Sequence, residues 1–215
     1  MKQVILMLLI VVCAGGNVVA QKQTSCKQAK KHSCCSAEES PLGKFSDKSL
    51  YQVQSKWVTQ NSAKIELSSF AGSVVVTTMI FTNCTYACPQ IIADVKKIAG
   101  SVPADVVKNI KFVFISMDVK RDTPKALRAF AEKMNIADSN WIFLHGNEDD
   151  TREIAALLGI KFKKMPSGDF SHSNIISVLN KQGEIVYQQN GLNAEPLQTI
   201  QAIEKADKEV YTITQ

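Results

Sequence analysis

Residues 74–81 (VVVTTMIF) constrain the chain more than any other segment. A run of apolar and β-branched residues with no polar alternation marks a strand buried on both faces of a sheet. The run leads directly into Phe81-Thr82-Asn83-Cys84-Thr85-Tyr86-Ala87-Cys88-Pro89. Residues 89–99 (PQIIADVKKIA) then read as a helix, with Pro89 in its first turn and Gly100 at its end. Residues 111–117 (KFVFISM) read as a second buried strand. Strand, helix and strand at this spacing make a βαβ unit, whose crossover is expected to be right-handed.

The rest of the pattern extends that unit. Residues 51–53 and 56–59 suggest a first short hairpin, and residues 64–67 another short strand. Thr123-Pro124 opens a helix as N-cap and N1, with Leu127, Phe130 and Met134 on one face. Residues 141–144 are a third buried strand. Asn147 with Asp150 starts a helix that runs to Leu158 and stops at Gly159. Residues 174–179 and 184–188 form a hairpin around Asn180-Lys181-Gln182-Gly183, and a last helix covers 194–208. The order β-α-β-α-β-α-β-β-α is an α/β sandwich. With a Cys pair just after the first long strand, it points to a thioredoxin-like fold carrying an N-terminal hairpin and an inserted strand-helix unit. At 215 residues the chain is long enough for one such domain to stand on its own core.

The N-terminus reads separately. Residues 4–14 (VILMLLIVVCA) are an apolar run behind Lys2, shorter than the roughly 20 residues a spanning helix takes. They fit the apolar region of a secretory signal over residues 1–20, cut after Ala20. An uncleaved anchor, or a lipoprotein cysteine at Cys13, are the alternatives. Export places the protein in the periplasm or at the outer face of the inner membrane, soluble or tethered, where dithiols tend to be oxidised. Residues 21–48 are polar and Lys/Ser-rich without apolar periodicity, and read as a flexible tail before a domain over 49–215. The net charge of +5 is concentrated in the first 48 residues; the remainder holds 18 basic and 17 acidic side chains. That near-neutral domain has no electrostatic footprint for a nucleic acid, and a membrane surface is met only through a partner or an uncleaved anchor.

The chemistry centres on Cys84 and Cys88. Pro89 cannot lie deep in a helix, so both thiols occupy the connecting loop and first turn. A helix N-terminus favours thiolate. Two close thiolates either close a reversible disulfide as a redox pair or hold a soft cation. The three-residue spacer leaves more room for a metal than a two-residue one. An inert structural disulfide is the plainest alternative. His172, just ahead of the predicted hairpin, falls on the loop that faces the Cys loop in a thioredoxin-like sheet. It can complete a Cys2His set suited to Cu(I), or to Cu(II) with an added oxygen ligand; zinc prefers a fourth protein ligand in a closed site.

Four motifs in order resemble the Sco/SenC family of copper chaperones from about Gln52 onward. They are Cys84-x-x-x-Cys88-Pro89, Asp118-Val119-Lys120-Arg121-Asp122-Thr123-Pro124, Trp141-Ile142-Phe143-Leu144-His145-Gly146, and His172-Ser173. The chain departs at Thr85, where Pro is common, at Ser171, where Asp is usual, and at His145, where Thr is common. The resemblance implies copper held by Cys84, Cys88 and His172. It further implies delivery of that copper to, or reduction of the cysteines of, the dinuclear copper centre in the copper subunit of a haem–copper (cytochrome c) oxidase. A thiol reductant or another copper chaperone would be a further partner. Asp118, Arg121 and Asp122 match the family's loop beside the copper site, as loop support or as a docking surface. Outside the resemblance, Cys26, His32, Cys34 and Cys35 in the tail make a second candidate metal arm that would pass copper on. A general thiol-disulfide oxidoreductase is the competing function. A peroxiredoxin-like peroxidase is the third, because Thr85-Tyr86-Ala87-Cys88-Pro89 matches the local T-x-x-C-P of that family.

Overall fold

A computed structural model describes residues 45–211. The segment expected to be an export signal, the greater part of the tail and its Cys26, His32, Cys34 and Cys35 lie outside the described residues. In chain order the domain contains β1 (Trp57–Thr59), β2 (Lys64–Ile65), β3 (Val74–Ile80), α1 (Ala87–Ser101), α2 (Ala104–Val107) and β4 (Ile110–Ser116). Then follow α3 (Pro124–Lys133), β5 (Trp141–His145), α4 (Glu148–Leu157), β6 (Phe162–Lys164), β7 (Phe170–His172), β8 (Ile175–Leu179), β9 (Ile185–Asn190) and α5 (Leu197–Lys208).

Seven strands form one sheet in the order β2-β1-β5-β4-β3-β8-β9. β3, β4 and β5 are parallel; β1 pairs antiparallel with β5, β8 antiparallel with β3, and β9 antiparallel with β8. Every residue of β3 is buried, as its composition requires of a central strand. Its two faces pack differently. In the parallel register Val76 pairs with Phe112 and Phe112 with Trp141, so these residues share a face. There Phe112 stacks on Trp141 with centroids 4.6 Å apart, Phe114 stacks on Phe143 at 4.8 Å, and Phe130 of α3 meets Phe143 edge-on. On the opposite face, Val75, Thr77, Val113 and Ile115 lie under Ile154 and Leu158 from α4 and its end, and under Tyr51 and Leu67. A parallel core extended by an antiparallel hairpin and covered by helices on both faces is the thioredoxin-like arrangement, with β1 and β2 as the added N-terminal hairpin. Among the described residues no helix is long and apolar enough to cross a membrane.

Several boundaries differ from the sequence expectation for identifiable reasons. The first hairpin pairs β1 with β2; residues 50–52 are instead a 3-10 turn, because the Ser49 hydroxyl accepts the Tyr51 N–H and Tyr51 turns into the core. The strand expected over 64–67 ends early, since Leu67–Phe70 winds into a second 3-10 turn. Phe45 and Ser46, within the stretch read as tail, already join the domain through the Phe45–Tyr51 ring contact and a Ser46–Glu184 hydrogen bond. α1 starts two residues before Pro89 and continues through Gly100 to Ser101. It stops where Val102, held extended before Pro103, cannot continue it. The β6–β7 ribbon had no periodic signature, being short and built largely of Lys, Ser and Gly around Phe162 and Phe170. The caps at Thr123 and Asn147 stand as expected: each side chain accepts the N–H three residues on.

The β8–β9 turn locks the N-terminal segment in place. Gly183 has φ +82°, and a Cβ there would lie 2.6 Å from the Tyr51 ring. Gly183→Ala therefore combines left-handed backbone strain with a clash against a buried aromatic, and is expected to lower unfolding free energy by about 2 kcal/mol or more. Urea denaturation checks this; an unchanged midpoint would contradict it.

Candidate functional site

The central strand delivers the dithiol to the edge of the sheet. β3 ends at Ile80, the chain turns with Cys84 N–H donating to the Phe81 carbonyl at 3.2 Å, and α1 begins at Ala87. Cys88 is thus the second residue of the helix, fully buried at 0% exposure, while Cys84 sits half-buried in the loop. Both thiols are free. Each sulfur accepts one backbone N–H: Phe81 N–H points to Cys88 Sγ at 3.4 Å, and Cys88 N–H to Cys84 Sγ at 3.3 Å. These donors steady a sulfur that carries negative charge, in the free protein or on a metal.

Burial pushes the Cys88 thiol far above its ordinary range; the Phe81 N–H works against that shift, and Cys84 and Asp122 add to it. The helix start was expected to favour thiolate, and at Cys88 desolvation outweighs it.

The loop from Asp118 to Asp122 organises the surroundings. Asp122 is 0% exposed. Its carboxylate accepts Thr82 N–H at 3.0 Å, the Thr82 hydroxyl at 2.6 Å and the Ser116 hydroxyl at 2.6 Å. It therefore ties the exit of β4 to the turn that carries Cys84. Asp118, also buried, accepts the Arg121 guanidinium, and Arg121 extends to the Gly168 carbonyl at 2.6 Å. Gly168 lies in the turn of the β6–β7 ribbon, so Arg121 clamps the element that bears His172. Asp118, Arg121 and Asp122 thus brace the loops around the dithiol.

His172 ends β7 rather than lying in a loop. Its ring meets Phe81 edge-on at 6.0 Å, and Phe81 in turn packs on Phe170 at 5.3 Å. Nδ1 lies 3.0 Å from the Ser173 carbonyl. A carbonyl only accepts, so Nδ1 carries the proton and the Nε2 lone pair is left for a ligand. The structure brings the two cysteines together and places His172 against the ring of Phe81, the residue whose N–H meets Cys88 Sγ. Among the described residues no three of His, Cys, Asp and Glu are clustered closely enough to hold a metal. Closing a Cys2His set therefore requires the ribbon and the thiol loop to approach each other. His145 lies in β5 of the seven-stranded sheet, paired with Val58 of β1, whereas His172 belongs to the separate β6–β7 ribbon. Thr82, Ser116 and the Gly168 carbonyl are site-building groups that sequence reasoning missed; only the acidic loop hinted at partners, and nothing in the sequence told which.

The fold and the paired thiols define a thioredoxin-like dithiol protein with a histidine-bearing ribbon beside the pair. Comparison with known proteins narrows the class. A family model described as SCO1/SenC matches residues 46–207. The SCO1 protein homolog of Bacillus subtilis (strain 168) is 28% identical over 144 residues, 66% of this chain and 74% of that protein. A structure of BsSco, reported with a disulfide switch and as a member of the Sco family of cytochrome c oxidase assembly proteins, is 25% identical with a TM-score of 0.62, covering 71% of this chain and 90% of that one. Bradyrhizobium japonicum ScoI with copper bound shares the fold at a TM-score of 0.61 and 18% identity, over 77% of this chain and 99% of its own. The chain belongs to the SCO1/SenC family.

Two outcomes are expected. In the reduced protein at neutral pH, iodoacetamide should label Cys84 first and Cys88 at least about tenfold more slowly, with the Cys88 rate climbing as alkali supplies thiolate. Peptide mapping reads this, and Cys88 labelled first would contradict it. Asp122→Ala strands the Thr82 N–H and Ser116 hydroxyl, and should cost about 2–4 kcal/mol in chemical denaturation; a change under about 0.5 kcal/mol would contradict the tie.

Proposed function

We propose that this protein is a copper metallochaperone in which Cys84, Cys88 and His172 take up one copper ion and pass it to the dinuclear copper centre of a haem–copper oxidase. The observation that carries this reading is the pairing of two free thiols, each with a backbone N–H on its sulfur, beside an imidazole whose Nε2 lone pair is left available. Two soft sulfurs and one imidazole suit Cu(I) better than zinc, which favours four protein ligands. Cu(II) would need an added oxygen ligand. Copper in B. japonicum ScoI and oxidase assembly in the description of BsSco support the same reading.

Uptake is an exchange of a metal for protons. Each thiol that binds copper loses its proton to solvent, and the buried Cys88 thiol is protonated at neutral pH. Affinity should therefore rise with pH, by about tenfold per pH unit from Cys88 alone. Cys84, reachable from solvent, is the sulfur that would first meet the ion or, oxidised with Cys88, the thiol of a reductant. Reduction of the acceptor's cysteines would use the same pair. A peroxidase reading fits poorly, because a peroxide-reducing cysteine needs an accessible thiolate and Cys88 is buried and protonated. Export by residues 1–20 to the periplasm or the outer face of the inner membrane, and collection of copper by Cys26, His32, Cys34 and Cys35, complete the proposal.

The test is a Cu(I) titration against a competing chelator, using reduced protein with Cys13, Cys26, Cys34 and Cys35 replaced by serine. One tight equivalent is expected, lost in Cys84→Ser and weakened by about tenfold or more in His172→Ala. Tight binding indifferent to His172 would leave a dithiol that only tolerates copper. Absence of tight binding would move the assignment to thiol-disulfide exchange.

A further inference from the structure

Beside the dithiol, and sharing none of Cys84, Cys88 and His172, lies a cleft of about 340 Å³ between the end of β4, α4 and the β6–β7 ribbon. That volume admits one or two side chains or a small molecule. Its walls are apolar, formed by Met117, Phe162 and Phe170. Its rim is cationic, with Lys120, Arg152, Lys163 and Lys164. Two of the cations are held over the walls: the Arg152 guanidinium lies 5.6 Å from the Phe162 ring centroid, and the Lys164 ammonium 5.8 Å from that of Phe170.

The acidic groups of the cleft are already engaged. Asp118 is taken by Arg121, and Glu148 pairs with Arg152 at 2.9 Å. Lys120, Lys163 and Lys164 have no ion pair among the described residues. One further observation points to a ligand. Thr151 on α4 lines the cleft at 1% exposure, and its hydroxyl has no hydrogen-bond partner. A helical threonine ordinarily satisfies itself on the carbonyl four residues back, but here only the Thr151 backbone N–H reaches Asn147. A buried orphan hydroxyl between aromatic walls and unpaired cations calls for a polar, anionic group attached to an apolar body.

We infer that this cleft docks an acidic segment of a protein partner, with one aromatic or large aliphatic side chain seated on Phe162 and Phe170 and its carboxylates on the lysines. The identification of that partner as the copper acceptor rests on the copper-delivery reading. Position supports a protein occupant. Phe170 stands two residues before His172 on the same strand and touches Phe81, the residue whose N–H meets Cys88 Sγ. A segment seated here brings the rest of its protein to the thiol loop. Tyr86, 73% exposed in the loop between the two cysteines, offers that protein a further aromatic contact.

The experiment uses the reduced full-length chain and a fluorescein-labelled probe, acetyl-Glu-Asp-Phe-Asp-Glu-amide, followed by anisotropy at low and moderate salt. Saturable binding is expected. It should weaken with salt, at least tenfold in the doubly exposed-site variant Lys163→Glu/Lys164→Glu, at least threefold in Thr151→Val, and at least tenfold for the probe with serine in place of its phenylalanine. Unsaturable binding, equal affinity for the lysine variant, or equal affinity for the serine probe would overturn the inference. Displacement by inorganic phosphate at the concentration of the probe itself would also overturn it, in favour of a site for a free anion. The Cu(I) stoichiometry of each variant is measured in parallel and should be unchanged. Probe binding without tight copper binding would sink the copper reading and leave the cleft standing; the reverse would sink the cleft alone.

Discussion

The carboxylate of Asp122 is the knot on which the site depends. It is fully buried, and it takes hydrogen bonds from Thr82 in the turn before Cys84 and from Ser116 at the end of β4. A loop leaving a sheet edge would otherwise hold its thiols only through the short spacer to the helix. Four residues earlier, Asp118 engages Arg121, which bonds the Gly168 carbonyl in the ribbon turn. One turn between β4 and α3 thus fixes the thiol loop with one carboxylate and the histidine ribbon with the other. Such supporting contacts decide whether ligands are held near a usable geometry.

The two thiols divide the work by burial. Cys84 meets solvent, whereas Cys88 is enclosed and keeps its proton. A buried Cys88 thiol that keeps its proton is a poor nucleophile until a soft cation displaces that proton. His172, the proposed third ligand, lies edge-on to the Phe81 ring in a two-stranded ribbon outside the main sheet, with the ribbon turn held by Arg121. A site closed by a small, separately hydrogen-bonded element suits a cargo that must also leave.

Much of this was legible in the sequence where a residue's neighbours are local. The apolar, β-branched 74–81 run, the Thr123-Pro124 start and the Asn147 cap each carry their own explanation, and the structure contains them within a residue or two. Placing the Cys pair at a strand-to-helix junction required only Pro89. Elements whose reason is non-local were not legible. Tyr51 alternates with its neighbours like a strand residue but turns inward to a core shared with the β8–β9 turn. β6 and β7 pair with each other locally, but Phe170 is seated by Phe81, 89 residues earlier in the chain. Asp122 could be nominated from its motif, but its partners Thr82 and Ser116 became visible only once β3 and β4 lay side by side.

The account stands or falls on His172 joining two sulfurs around one ion. X-ray absorption at the copper edge, on the reduced chain with Cys13, Cys26, Cys34 and Cys35 replaced by serine and loaded with one equivalent of Cu(I), reads that ligand set directly. The account predicts two sulfur scatterers and one imidazole nitrogen, with the nitrogen contribution absent in His172→Ala. A spectrum of sulfur alone, unchanged by that substitution, would contradict it.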